Sequence, residues 1–154
     1  MKRTIGAVVL GYLAMAVLLF VIFTIAYVAM GTERAFQAGT YDVSTLWLAL
    51  SIVVGFAAAV VGGQVATRIG GERAVRSLLV VVVLLGLATA VMGMMTPPRD
   101  PGPRAGDVPV MQAMNVADSP AWVEWANIVI GAAGTLIGGR VGASAARATT
   151  ATRS

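Results

Sequence analysis

Among the polar side chains that stand inside long apolar runs of this chain, four could line a common groove: Ser51, Gln64, Asn127 and Thr135. A polar group within a membrane-length segment faces protein or a cavity rather than lipid, so these four define a candidate polar groove for a small solute or water. The blander use of the same residues is helix glue, in which each side-chain hydrogen bond across helices contributes on the order of 0.6 kcal/mol; that is the reading preferred here. Among the carboxylates only Glu124 approaches an apolar centre, and its place between Trp122 and Trp125 puts it at a boundary where it reaches water. With no acid deep in a span, a pump that needs a titrating intramembrane carboxylate is disfavoured. Met30, Met92, Met94, Met95, Met111 and Met114 cluster toward one end of the apolar runs. Thioethers can hold Cu(I), but methionine is also an ordinary apolar residue, and the His or Cys that often accompanies such a site is lacking. No metal site and no cofactor are assigned.

The absences narrow the chemistry further. The chain has neither cysteine nor histidine, which removes disulfides, thiolate metal sites, His-ligated haem and CxxC redox work. No P-loop, GxSxG or HExxH pattern occurs, and the Gly-Gly pairs fall inside apolar segments where phosphate binding is implausible. The expectation is a protein that is not an enzyme. The net charge of +4 and pI of about 10.4 do not point to nucleic acid, because the basic residues sit singly at segment ends and form no stripe.

The elements that must position these residues follow from hydropathy. At 58% hydrophobic and 12% charged, with a mean hydropathy of +0.84, the chain has too few polar residues to cover a water-facing surface. It is expected to be an all-α integral membrane protein, a single domain over 1–154, with transmembrane helices at about 5–30, 45–67, 77–96 and 121–141. The first three spans are uncharged, whereas the fourth carries Glu124 and Arg140 near its ends, where one can reach water and the other can snorkel. The basic start Met1-Lys2-Arg3 resembles a secretory signal, but the apolar run that follows exceeds the roughly 7–15 residues of a signal core and no small-x-small site follows it. It is expected to stay.

Orientation comes from the basic residues. With the N-terminus cytoplasmic, Lys2, Arg3, Arg68, Arg73, Arg76, Arg140, Arg147 and Arg153 lie inside, against Arg34, Arg99 and Arg104 outside. Both termini are therefore expected in the cytoplasm, with Tyr41, Trp47, Trp122 and Trp125 as an aromatic belt at the outer boundary. Every basic residue except Lys2 is Arg, which hints at a GC-rich bacterial genome and an inner-membrane location. Two loops stand out. RIGGERAVR, 68–76, is a short turn in which Gly70 and Gly71 can end the second helix. The outer stretch 97–120 holds all six prolines and is expected to be extended, irregular and mobile.

One phrase is written twice. IVVGFAAAVVGGQVA, starting at Ile52, returns as IVIGAAGTLIGGRVG, starting at Ile128, without a gap and with three glycines kept. This suggests a duplication of two tandem helical hairpins, related as parallel rather than inverted repeats. Within the phrase, small residues recur every fourth position: Gly55, Ala59 and Gly63 in one copy, Gly131, Thr135 and Gly139 in the other, with Gly62 and Gly138 beside them. Such faces let helix backbones approach closely in lipid, so the second and fourth helices are expected to pack together with the first and third outside. The functional expectation is a non-enzymatic protein of the lipid bilayer, acting by helix association as a homo-oligomer or with another membrane protein, with no nucleic acid partner. A minimal dimeric transporter or channel for a small solute or ion is the alternative.

Overall fold

A computed structural model describes residues 2–96 and 102–151. Pro97, Pro98 and Pro101, with the charges of Arg99, Asp100 and Arg153, lie outside the described residues. The described chain is helical, with α1 at Lys2–Met30, α2 at Thr32–Ala35, α3 at Thr45–Met95, α4 at Val110–Val116 and α5 at Ala121–Ala151. Helix α1 ends where Gly31 turns to φ 72° and donates its N–H to the carbonyl of Tyr27 at 2.9 Å. The start of α3 is capped by Ser44, whose hydroxyl accepts the N–H of Trp47 at 3.1 Å. Pro120 precedes α5, and Glu124 lies in its first turn, where the helix dipole favours an acid.

Three helices, α1, α3 and the part of α5 through Ala145, are long and apolar enough to cross a membrane. Helix α3 is not straight. At Gly71 the backbone takes φ 70° and ψ −162°, a conformation open essentially to glycine alone, and the helix breaks into limbs 45–70 and 72–95. The second limb folds back on the first: a Cβ placed on Gly11 would lie 3.1 Å from Leu78 and 3.3 Å from Ala66, and a Cβ on Gly139 meets Val75 and Thr67 together. A continuous helix would hold Ala66 and Leu78 about 18 Å apart at 1.5 Å per residue. The turn is tighter than expected, since nearly all of RIGGERAVR is helical. Glu72 and Arg76 pair at 2.6 Å one turn apart, which suits helix, and the reversal falls on one residue.

Around this hairpin the rest is arranged simply. Helix α1 runs antiparallel to limb 45–70, with Arg3 Nε donating to the carbonyl of Ile69 at 2.7 Å at one end and Phe23 and Tyr27 against Trp47 at the other. Helix α5 runs parallel to limb 45–70, from Phe56 beside Gly134 to Gln64 beside Gly142, and antiparallel to limb 72–95, from Glu124 beside Gly93 to Gly139 beside Val75. Limb 45–70 is thus flanked by both α1 and α5. The interior is built of small residues, with Ala7, Ala58, Ala59, Ala66, Ala74 and Ala90 fully buried, while large apolar side chains such as Val28, Val53 and Val129 point outward. That inversion of the water-soluble pattern is what a lipid environment requires.

Candidate functional site: the small-residue faces and the loop cap

The small residues of the repeated phrase are used for close approach, but not alike. At the seam between limb 45–70 and α5, a Cβ on Gly63 would collide with the carbonyl of Thr135, and one on Gly138 with the carbonyl of Val60; Ala59 and Thr135 are fully buried there. Thr67 joins the same seam, its hydroxyl reaching the carbonyls of Gly63 at 2.9 Å and Gly139 at 3.2 Å. Gly62 instead faces α1, where Met15 and the carbonyl of Gly11 fill the space beside it. Gly131 and Gly139 face limb 72–95 through Val82 and Val75. Gly55 has nothing within 4 Å. Equivalent glycines of the two copies therefore meet different neighbours: Gly62 packs on α1, Gly138 on limb 45–70.

The four polar residues of the proposed groove share no common lining. Ser51 spends its hydroxyl on the carbonyl of Trp47 in its own helix at 2.8 Å. Thr135 is sealed within the bundle, its hydroxyl without a hydrogen-bond partner. Gln64 is half-buried, and Asn127 is exposed on the outer surface of α5. Thr135 lies where α5 packs against limb 45–70, whereas Asn127, about two turns nearer the start of α5, lies beyond the close contacts at Gly134, Gly138 and Gly142.

The feature that the sequence reading missed is a folded cap made of residues 31–44 and 102–120. The part of the outer loop that is described is not an irregular strand of chain. It contains α4, and it is stitched to the first loop by the backbone: Arg104 N–H donates to Gly39 at 2.9 Å, Val43 N–H to Asp118 at 2.9 Å and Asp118 N–H to Tyr41 at 3.0 Å. Arg104 is the centre of the latch. Its side chain is 2% exposed, donates to the Glu33 carboxylate at 2.8 Å and to the carbonyls of Thr40 and Gly106, and lies over the Phe36 ring at 6.0 Å. The hydrogen bond from Arg104, and then its charge, hold the Glu33 carboxyl below its ordinary value, and the same hydrogen bond raises Arg104. A second buried knot links the cap to α1: Tyr27 donates its hydroxyl proton to the carbonyl of Val108 at 2.7 Å, and Val108 N–H donates to the Thr32 hydroxyl at 3.0 Å.

Beneath α4 this packing leaves a cavity of about 210 Å³ lined chiefly by Phe23, Tyr27, Phe36, Trp47, Ala113 and Met114. Trp47 is therefore committed to the inside of the cap, with ring centroids 5.6 Å from Phe23 and 5.9 Å from Tyr27, rather than lying in an aromatic belt; Trp122 and Trp125 remain exposed. No family model matches the chain, and neither a curated protein nor a solved structure is similar to it. At the opposite end of the bundle lies a wider groove of about 620 Å³, lined by Val75, Leu136, Arg76 and Arg140 among others. The sequence carried weak signals for the cap. Arg104 and Glu33 are opposite charges on the same side of the expected membrane, and Tyr27 and Trp47 flank the same loop, but neither spacing says that a distant loop would fold over them.

Proposed function

We propose that the chain is a four-span integral membrane protein of a bacterial inner membrane, with both termini cytoplasmic, that acts without catalysis by associating with a second copy of itself. The limbs 45–70 and 72–95 are each long enough, at about 1.5 Å per residue, to cover a hydrocarbon core of about 30 Å. Pairing α1 with 45–70 and 72–95 with α5 gives two antiparallel hairpins in tandem, and the parallel course of 45–70 and α5 is the relation a duplicated hairpin demands. The basic residues near Gly71 and in α5 support the assignment of that end to the cytoplasm.

The observation that carries self-association is Asn127. The small-residue faces at Gly62, Gly63 and Gly138 are used inside the bundle, whereas the Asn127 amide is exposed on α5 just inward of Trp125. A primary amide has two donors and an accepting oxygen, and lipid offers nothing to satisfy them. Two copies related by a twofold axis bring Asn127 against its own counterpart and satisfy both amides reciprocally, a device that contributes about 1–2 kcal/mol in model membrane helices. The solute-pathway alternative is less well supported, since Thr135 is sealed and Ser51 is bonded to its own helix. Light scattering of the detergent-purified protein tests the proposal: a dimer is expected for the wild type and for Asn127→Gln, and a monomer for Asn127→Leu. A wild-type monomer at all concentrations refutes it.

A further inference from the structure

We propose that the cavity under the loop cap is a binding site for a small, neutral aromatic molecule of one or two rings. The lining is decisive about class. Four rings line the space, with Tyr27 edge-on to Trp47 at 89° and to Phe36 at 76°, so the lining is an aromatic cluster whose members already use the T-shaped contact that a further ring would join. Met114 adds a thioether, which favours aromatic contact and adapts to shape. The volume is sufficient: an enclosed apolar cavity of about 150 Å³ accepts benzene, and this half-open pocket holds about 210 Å³.

Charge is excluded from both sides. Among the described residues no carboxylate lines the cavity to meet a cation, and the ring of Phe36 already lies under the Arg104 guanidinium, whose field opposes a second positive charge. An anion finds no ammonium or guanidinium among the described lining residues, and Arg104 is spent on Glu33 and backbone carbonyls. The one phenol, Tyr27, gives its proton to Val108. A neutral ligand is what remains. The site also has a lid with a visible fastening: Ala113 and Met114 belong to α4, and α4 is held down through Val108 and Arg104. This inference is independent of self-association, which concerns α5.

The test uses Trp47 as reporter in the full-length protein in lipid nanodiscs, with Trp122→Phe and Trp125→Phe removing the other indoles. Bromobenzene is the probe, because a heavy atom quenches tryptophan only near contact. The expected result is saturable quenching of Trp47, with loss of the saturable component in Ala113→Phe, which fills the cavity. Because Ala113 is buried, Ala117→Phe, at an exposed position of the same lining, provides a second filling variant, and retention of the Trp47 emission maximum reports an intact cap. Quenching that rises linearly with bromobenzene, as for the exposed Trp122 and Trp125 in a Trp47→Phe protein, overturns the proposal. So does saturable quenching that persists in both filling variants. Quenching of Trp47 by phosphatidylcholine brominated on its acyl chains, with no response to bromobenzene, reassigns the cavity to a lipid chain and equally overturns it.

Discussion

Single residues set the working points of this molecule. The Arg104 side chain is 2% exposed, but its partner Glu33 is largely open to water, so the pair is a latch with one solvated arm. A carboxyl whose folded pKa lies below its unfolded one stabilises the folded form fully above the unfolded value, and that contribution is lost as pH falls through the folded value. The Glu33 contribution to the cap should therefore begin to fade below its ordinary value of 4.5 and disappear further down. In a protein with Trp47 as the sole indole, emission of the wild type should shift over that window, while Glu33→Gln should show the acid-like spectrum already at neutral pH. An identical pH profile in both would remove Glu33 from the latch. Glycines make the same point about position. Gly63→Leu forces a side chain against the backbone of α5 and should cost about 1–3 kcal/mol or more as overpacking, whereas Gly55→Leu, with open space around it, should leave thermal stability nearly unchanged in detergent. Both lie on the same four-residue spacing. The sequence displayed the stripe, but the rotation of each helix about its axis decides which members meet a neighbour, and that depends on all the other contacts.

At the level of elements, the long helices were legible because their cause is local. Uninterrupted apolar runs without proline can satisfy their backbone in lipid only as helix; α1 matches the expected bounds closely, whereas α5 begins where expected but runs on to Ala151, ten residues past the expected end at 141. The reversal at Gly71 was also marked by its glycines, although its tightness was not. The cap was not legible, because α4 and Arg104 are placed by contacts with residues 27–43, far away along the chain. The Pro, Gly and Asp content that suggested mobility reports local preference alone, and the tertiary hydrogen bonds at Val108 and Asp118 override it. A sharp prediction belongs to the turn. Gly71→Ala places a Cβ at φ 70° and ψ −162°, so it should destabilise the protein by about 1–3 kcal/mol. Gly6→Ala, inside α1 with nothing within 4 Å, is the control and should be neutral or stabilising by up to about 1 kcal/mol. Equal thermal shifts for the two variants would mean that the hairpin does not depend on the Gly71 conformation.

For the whole molecule, the question is how many times the chain crosses and which end carries the cap. The cap residues 31–44 and 102–120 lie together at one end of the bundle, and the turn at Gly71 lies at the other, beside Ala7 and the Arg3 end of α1. Because the two limbs of α3 fold back on each other, they cross together or not at all; if both cross, Asp107 and Glu72 must be on opposite faces of the membrane. The chain has no cysteine, so single introduced thiols report without background. Asp107 is exposed in the cap, and the Glu72–Arg76 pair is so open to water that its loss should cost little. In intact cells, D107C should react with a membrane-impermeant maleimide, and E72C only after permeabilisation. The reverse pattern would place the cap in the cytoplasm and contradict the distribution of arginines. Reaction of both D107C and E72C in intact cells would put the two ends of the bundle on one side of the membrane and dismiss the crossing of the two hairpins.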